Sequence, residues 1–199
     1  MTVTAGQRSQ SGYPVDFEVD GPFSQGRLTV FFRFFMIIPH VIALYFLGML
    51  SGVVTLIAWF AIIITGSYPA GMLKFSTDML HWTARVSAYT YLVTGKYPPF
   101  AMGEDAGYPA RLLVQPQTTG RNRMTTLLRI FMLIPHIFVL YFFLILASVV
   151  HFVAFWVALF TGSVPVGMHN FLVGVLRYNM RYSAYALLLV DDFPPFGTT

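Results

Sequence analysis

The sequence predicts an all-α integral membrane protein with four transmembrane helices, built as two tandem helical hairpins. Three observations carry this. Hydrophobic residues make up 56% of the 199 positions, and Asp, Glu, Lys and Arg together only 10%, where a soluble domain carries roughly 25% charge. Mean hydropathy is +0.67, too high for a water-facing surface over most of the chain. Two long apolar runs recur, each closed by a Gly/Pro turn and followed by a more polar helical segment.

The recurrence is a duplication. A shift of 96 residues aligns Arg33–Phe100 with Arg129–Phe196 without a gap, with 29 of 68 positions identical. Arg33-Phe-Phe-Met-Ile-Ile-Pro-His40 answers Arg129-Ile-Phe-Met-Leu-Ile-Pro-His136. Thr65-Gly-Ser67 answers Thr161-Gly-Ser163, and Pro98-Pro-Phe100 answers Pro194-Pro-Phe196. A period this long suits one small unit used twice rather than a solenoid. The chain divides into a polar segment 1–26, a first membrane repeat 27–100, a linker 101–122 and a second repeat 123–199.

These motifs resemble the bacterial membrane family called domain of unknown function 4389. Its unit carries an Arg-x-x-x-x-x-Pro-His-like start and a Tyr-Pro-Pro-Phe-like end. The resemblance covers nearly the whole chain in two copies. It implies a membrane architecture, and no activity or catalytic residue.

In the first repeat the apolar run Phe34–Thr65 has 32 residues. As one straight helix it would measure about 48 Å, against a hydrocarbon core of roughly 30 Å. Proline removes a backbone donor and suits a first helical turn, so Pro39 and Pro135 are the expected breaks. Amphipathic interfacial segments are expected at Arg27–Ile38 and Arg123–Ile134, and spanning helices at Pro39–Thr65 and Pro135–Thr161. One long kinked helix per repeat is the alternative. The turns at 66–71 and 162–167 return the chain into second helices at Met72–Thr94 and Met168–Val190, ending before the Pro-Pro pairs. Spanning by these more polar helices competes with a surface position. Tyr13–Val19 and Tyr108–Val114 read as short strands that pair beneath the bundle.

Two spans per repeat put both copies in one orientation, about a pseudo-two-fold axis along the membrane normal. Eight of the 12 basic residues (Arg8, Arg27, Arg33, Lys96, Arg111, Arg121, Arg123 and Arg129) then share one side. The positive-inside rule makes that side cytoplasmic, with both termini and the linker, in a multi-pass plasma-membrane protein. The polar first 26 residues lack a cleavable signal pattern, so the first span is expected to insert uncleaved. The net charge of +4 is scattered among apolar segments, which argues against nucleic-acid binding.

Candidate functional residues fall into two groups. Lys74, Asp78, His81 and Arg85 follow i, i+4, i+7, i+11 spacing and share one helix face. The equivalent positions hold Asn170, Gly174, Arg177 and Arg181. Were both stripes to face the repeat axis, Asp78 would pair with Arg177 or Arg181 inside the membrane. Arg27, Arg33, His40, Arg123, Arg129 and His136 form the second group, expected at the interface: the arginines meet lipid headgroups or anchor topology, and the histidines donate to a backbone carbonyl or a headgroup. Gly48, Ser51 and Gly52 permit close helix contact, within the bundle or with another subunit. Glu104-Asp105 and Asp191-Asp192 are expected in solvated connections.

No nucleophile elbow, phosphate loop or histidine–carboxylate ligand pair occurs in the sequence, and it holds no Cys. The expectation is a non-enzymatic membrane protein without metal or cofactor. It would serve as an accessory or scaffold subunit packing against lipids or a larger membrane complex. A small transporter or channel along the polar stripe is the alternative, and a lipid-modifying enzyme ranks third.

Overall fold

A computed structural model describes residues 12–198; Arg8, counted above among the basic residues, lies outside them. The order is β1 (Val15–Val19), α1 (Arg27–Thr65), α2 (Ala70–Thr90), β2 (Ala110–Val114), α3 (Arg123–Thr161) and α4 (Val166–Ala186). The helices of the second copy begin and end 96 residues after those of the first.

Both long helices stop on a glycine. Gly66 (φ 74°) and Gly162 (φ 81°) adopt the left-handed conformation, which costs least without a Cβ. Their amides donate to the carbonyls of Ile62 and Ala158. Pro69 and Pro165 then open α2 and α4 from an extended backbone.

The two strands pair antiparallel, from Val15↔Val114 to Val19↔Ala110, as the sequence led us to expect. Val15 and Phe17 point inward with Ala110 and Leu112, all nearly fully buried. β1 packs on α4 and β2 on α2; α2 packs on α4, α1 on α2, α3 on α4, and α1 on α3. The result is three layers: the strand pair, then α2 with α4, then α1 with α3. Under the 96-residue shift the pair Val15↔Val114 becomes Glu18↔Arg111, which is also a pair. The pseudo-two-fold axis therefore passes between the strands, normal to the sheet and to the layers beneath it.

Three expectations change here. First, α1 and α3 run unbroken through Pro39 and Pro135, so there are no separate interfacial segments. A proline costs one backbone bond, whereas a helix end at this apolar surface would leave several groups without water. Second, α1 and α3 lie antiparallel. The Trp59 indole donates to the Thr126 carbonyl (2.9 Å) near one end, and the Gln25 amide donates to the Gly162 carbonyl (2.7 Å) at the other. The turns at 66–71 and 162–167 thus sit at opposite ends of the pair, and so do the Arg27/Arg33 and Arg123/Arg129 ends. The parallel hairpin arrangement is replaced by an inverted one along the helix direction. Third, Gly48 and Gly52 make no close contact within the chain, since a Cβ at either would meet nothing within 4 Å, while Ser51 is buried.

Two helices, α1 and α3, are long and apolar enough to cross a membrane. Each buries only a narrow seam. On α1 it runs through Val30, Arg33, Ile37, His40, Ser51, Ala58 and Ile62, and on α3 through Thr126, Arg129, His136, Leu140, Ala147, Ala154 and Ala158. Alanine and serine in the seam let the backbones approach closely. Each helix exposes seventeen large hydrophobic side chains, while α2 exposes none and α4 only Val166. The outer face of the α1/α3 layer is therefore the apolar surface of the molecule.

Candidate functional site

The polar groups of this protein gather between the layers, beginning with two arginines. A helix end leaves carbonyls without intrahelical partners and concentrates negative dipole there. Arg33 Nη1 donates to the carbonyls of Tyr89 (2.5 Å) and Thr94 (3.2 Å), closing the end of α2. Arg129 Nη1 does the same for α4, at Tyr185 (2.9 Å) and Val190 (2.7 Å). Each guanidinium also lies over a tyrosine ring, Tyr89 at 4.2 Å and Tyr185 at 4.0 Å. Both arginines are almost completely buried. They are buried helix caps rather than exposed interfacial side chains, which corrects the expected position.

The second terminal nitrogen, Nη2, of each arginine is satisfied differently in the two copies. Arg33 Nη2 donates to Gln25 Oε1 (2.6 Å), and Gln25 Nε2 donates to the Leu92 carbonyl. The 96-residue equivalents of Gln25 and Gly95 are Arg121 and Asp191. There Arg129 Nη2 donates to Asp191 Oδ1 (2.8 Å), and Arg121 donates to the same oxygen through Nε (3.0 Å) and Nη2 (2.6 Å). A side chain at position 95 would crowd the Ser24 carbonyl, from which a Cβ on Gly95 stands 3.1 Å. Asp191 is thus no solvated connector but the partner of two buried arginines.

Burial alone would raise the Asp191 carboxyl. The Asn122 amide and the Arg121 and Arg129 guanidinium groups outweigh it and hold the carboxyl below its ordinary range. A carboxyl whose folded value is depressed contributes stability above its unfolded pKa of about 3.9 and loses it as pH falls through the folded value. Thermal unfolding of the wild type is expected to be insensitive to this group between pH 5 and 8 and to weaken below pH 4. Asp191→Asn is expected to unfold earlier at pH 7 and to lose less on acidification. Equal acid sensitivity of the two proteins would remove the role assigned to Asp191.

His40 and His136 are fully buried. His40 Nδ1 accepts from Trp82 Nε1 (3.2 Å), and its ring stacks on Phe100 at 3.7 Å. His136 Nδ1 bonds the Tyr178 hydroxyl (2.7 Å) and stacks on Phe196 at 4.3 Å. Both clamp the Pro-Pro-Phe ends of their units, so their expected interfacial position is also corrected. Arg27 and Arg123 are exposed and lie across the ends of the neighbouring long helices. A Cβ on Gly66 would stand 3.4 Å from Arg123 Nε, and one on Gly162 4.0 Å from Arg27 Nε. A cation there complements the C-terminal dipole.

The polar stripe splits. Lys74 and Asp78 pair with each other on the open face of α2. Arg85 donates to the carbonyls of Ala101 and Gly103, tying down the loop after the first unit. His81 is held below the usual imidazole range by burial, the largest influence on it. On α4, Arg177 Nε meets Asp16 Oδ1 at 2.8 Å and Arg181 Nη2 meets it at 3.5 Å. Arg181 Nε also donates to the Val15 carbonyl (3.2 Å). The acid facing Arg177 and Arg181 is therefore Asp16 on β1, not Asp78 across the axis.

Sequence reasoning missed the roles of Asp16 and Asp191, distant in sequence from their arginines, and of Gln25, which lies eight residues before Arg33 outside any helical periodicity. The one available signal was the paired change of Gln25 and Gly95 to Arg121 and Asp191. Asp16, Glu18, Asp20, His169, Asn170 and Arg177 line a cleft of about 400 Å³. Among the described residues no group of three His, Cys, Asp or Glu side chains is arranged to hold a metal ion.

The family called Domain of unknown function (DUF4389) matches residues 27–102 and again 123–197. The chain belongs to the DUF4389 family, in two tandem copies. No curated protein and no solved structure matches it. Each DUF4389 unit here carries near its start an arginine, Arg33 or Arg129, that caps its own second helix. Each closes on a Pro-Pro-Phe whose ring stacks on the histidine of the opening motif.

Proposed function

We propose that this DUF4389 protein is a non-enzymatic membrane module. Its α1/α3 layer is immersed in one leaflet, and its α2/α4 and strand layers form an accessory or scaffold platform above it. The observation that carries this reading is the segregation of charge. Along α1 and α3 the charged residues are Arg27 and Arg123 at the helix starts and the buried Arg33 and Arg129. The carboxylates of the described residues belong to the strands, α2 and the loops.

The apolar stripe from Leu28 to Ile64 extends about 54 Å, far beyond a hydrocarbon core of roughly 30 Å. An upright α1/α3 pair would also set the strands, with Asp16, Glu18, Asp20 and Arg111, at bilayer mid-depth, where charge is expensive. Lying in the plane of the leaflet avoids both costs and directs the pseudo-two-fold axis along the membrane normal. Four spanning helices would require Lys74, Asp78, Arg85, Arg177 and Arg181 to enter the bilayer, so we favour the in-plane arrangement over four spans. Asp78 pairs with Lys74 and Arg177 and Arg181 with Asp16, which leaves the transporter alternative without its cross-axis pair.

The native chain holds no Cys, which makes single-cysteine labelling direct. In intact cells, Ser67→Cys, Ser163→Cys and Thr77→Cys are expected to react with a membrane-impermeant thiol reagent from one and the same side. Reaction of positions 67 and 163 from opposite sides would establish upright spans instead. A chain that fails to float with liposomes would end the membrane reading altogether.

A further inference from the structure

Between the second half of α1 and the start of α3 lies an apolar groove of about 290 Å³, lined by Gly52, Thr55, Leu56, Trp59, Arg129 and Leu133 among others. Its rim residues Leu56 and Ile130 are exposed on the outer face of the α1/α3 layer. Two buried polar atoms there have no partner, Nε of Arg129 and Oγ1 of Thr55, as is also true of Arg33 Nε and His151 Nδ1 at the equivalent places of the other copy. Arg129 is only 2% exposed. A helical threonine ordinarily bonds a carbonyl in the preceding turn, as Thr77 does with Leu73. Thr55 leaves its hydroxyl unspent. Arg121 and Arg129 share the single carboxylate of Asp191, so this corner carries one positive charge in excess.

The second copy of the site is filled. The 96-residue equivalents of Gly52, Thr55 and Trp59 are Ser148, His151 and Phe155. The His151 ring packs edge-on against Tyr91 at 5.4 Å and stands within electrostatic reach of Arg33. Phe155 packs against the cluster of Val30, Ala154 and Ala158. One half of the duplication is open where the other is plugged.

We propose that the groove binds one anionic phospholipid. An acyl chain lies along Gly52, Leu56, Trp59 and Leu133, and a headgroup oxygen accepts from Arg129 Nε and the Thr55 hydroxyl. The pocket is concave and mostly apolar with a few convergent donors, as lipid and cofactor sites are. Its mouth opens toward the acyl chains of the leaflet in which the layer lies, and the headgroup charge neutralises the surplus of the arginine pair. The inference rests on the membrane placement proposed above.

The test uses the full chain, purified in mild detergent and exchanged into nanodiscs containing phosphatidylglycerol and phosphatidylcholine, with retained lipid read by native mass spectrometry. Wild type is expected to hold one phosphatidylglycerol per chain. Gly52→Leu fills the groove where a Cβ has open space, and is expected to lower retention about tenfold while still floating with liposomes. Ser148→Gly combined with His151→Thr is expected to open the second copy and raise the count to two. Retention unchanged in Gly52→Leu, no preference for the anionic lipid, or a retained free fatty acid in its place would overturn the proposal. Each of those results together with normal flotation leaves the membrane placement standing, whereas loss of flotation in wild type strikes that placement itself.

Discussion

Arg129→Met is expected to lower stability by about 3–5 kcal/mol, the range for breaking a buried, hydrogen-bonded ion pair from one side. Methionine fills similar space but donates nothing. The carbonyls of Tyr185 and Val190 would lose their donor, and Asp191 one of its two arginines. For a chain near 200 residues, each kcal/mol shifts the midpoint by roughly 2–4 °C, so a fall of about 10 °C is expected in detergent, followed by tryptophan fluorescence. Arg123→Met, at an exposed position, is the control and should change stability by less than about 0.5 kcal/mol. If the two variants melt together, Arg129 is not the cap of α4.

Asp16→Ala is expected to have the second largest effect. It removes the carboxylate that faces both Arg177 and Arg181. Two guanidinium groups would then sit without their acid between α4 and the strand pair, again at a cost of about 3–5 kcal/mol. The loss should be localised, because β1 packs on α4. Hydrogen exchange of residues 15–19 and 110–114 is expected to accelerate well before that of α1 and α3. Glu18→Ala, one pleat nearer solvent, should leave the protection of these strands unchanged. Uniform exchange across the chain in Asp16→Ala would mean that the strand pair does not depend on this contact.

Both residues illustrate why the sequence was only partly legible. The duplication, the glycine stops at 66 and 162, the long apolar segments and the strands flanking them are local signals, written in composition and spacing. The helix continuing through Pro39 is not local, because an apolar surface makes a broken helix costlier than a missing hydrogen bond. The candidate residues fared similarly. Arg33, His40, Arg129 and His136 stood out by their recurrence, yet their roles as caps and clamps depend on Tyr89, Phe100, Tyr185 and Phe196 arriving from 56 or 60 residues away. Asp16 reaches Arg177 across 161 positions, a distance over which no periodicity carries information.

By itself the sequence determined that this is a doubled DUF4389 unit with two long apolar segments, since hydropathy and self-similarity are properties of a chain before it folds. Only the tertiary structure decided that the long helices lie antiparallel, that the arginines close helix ends, and that one copy keeps a groove the other fills. Those outcomes follow from which surfaces meet and what each buried charge finds opposite it, and such pairings exist only once distant segments have packed.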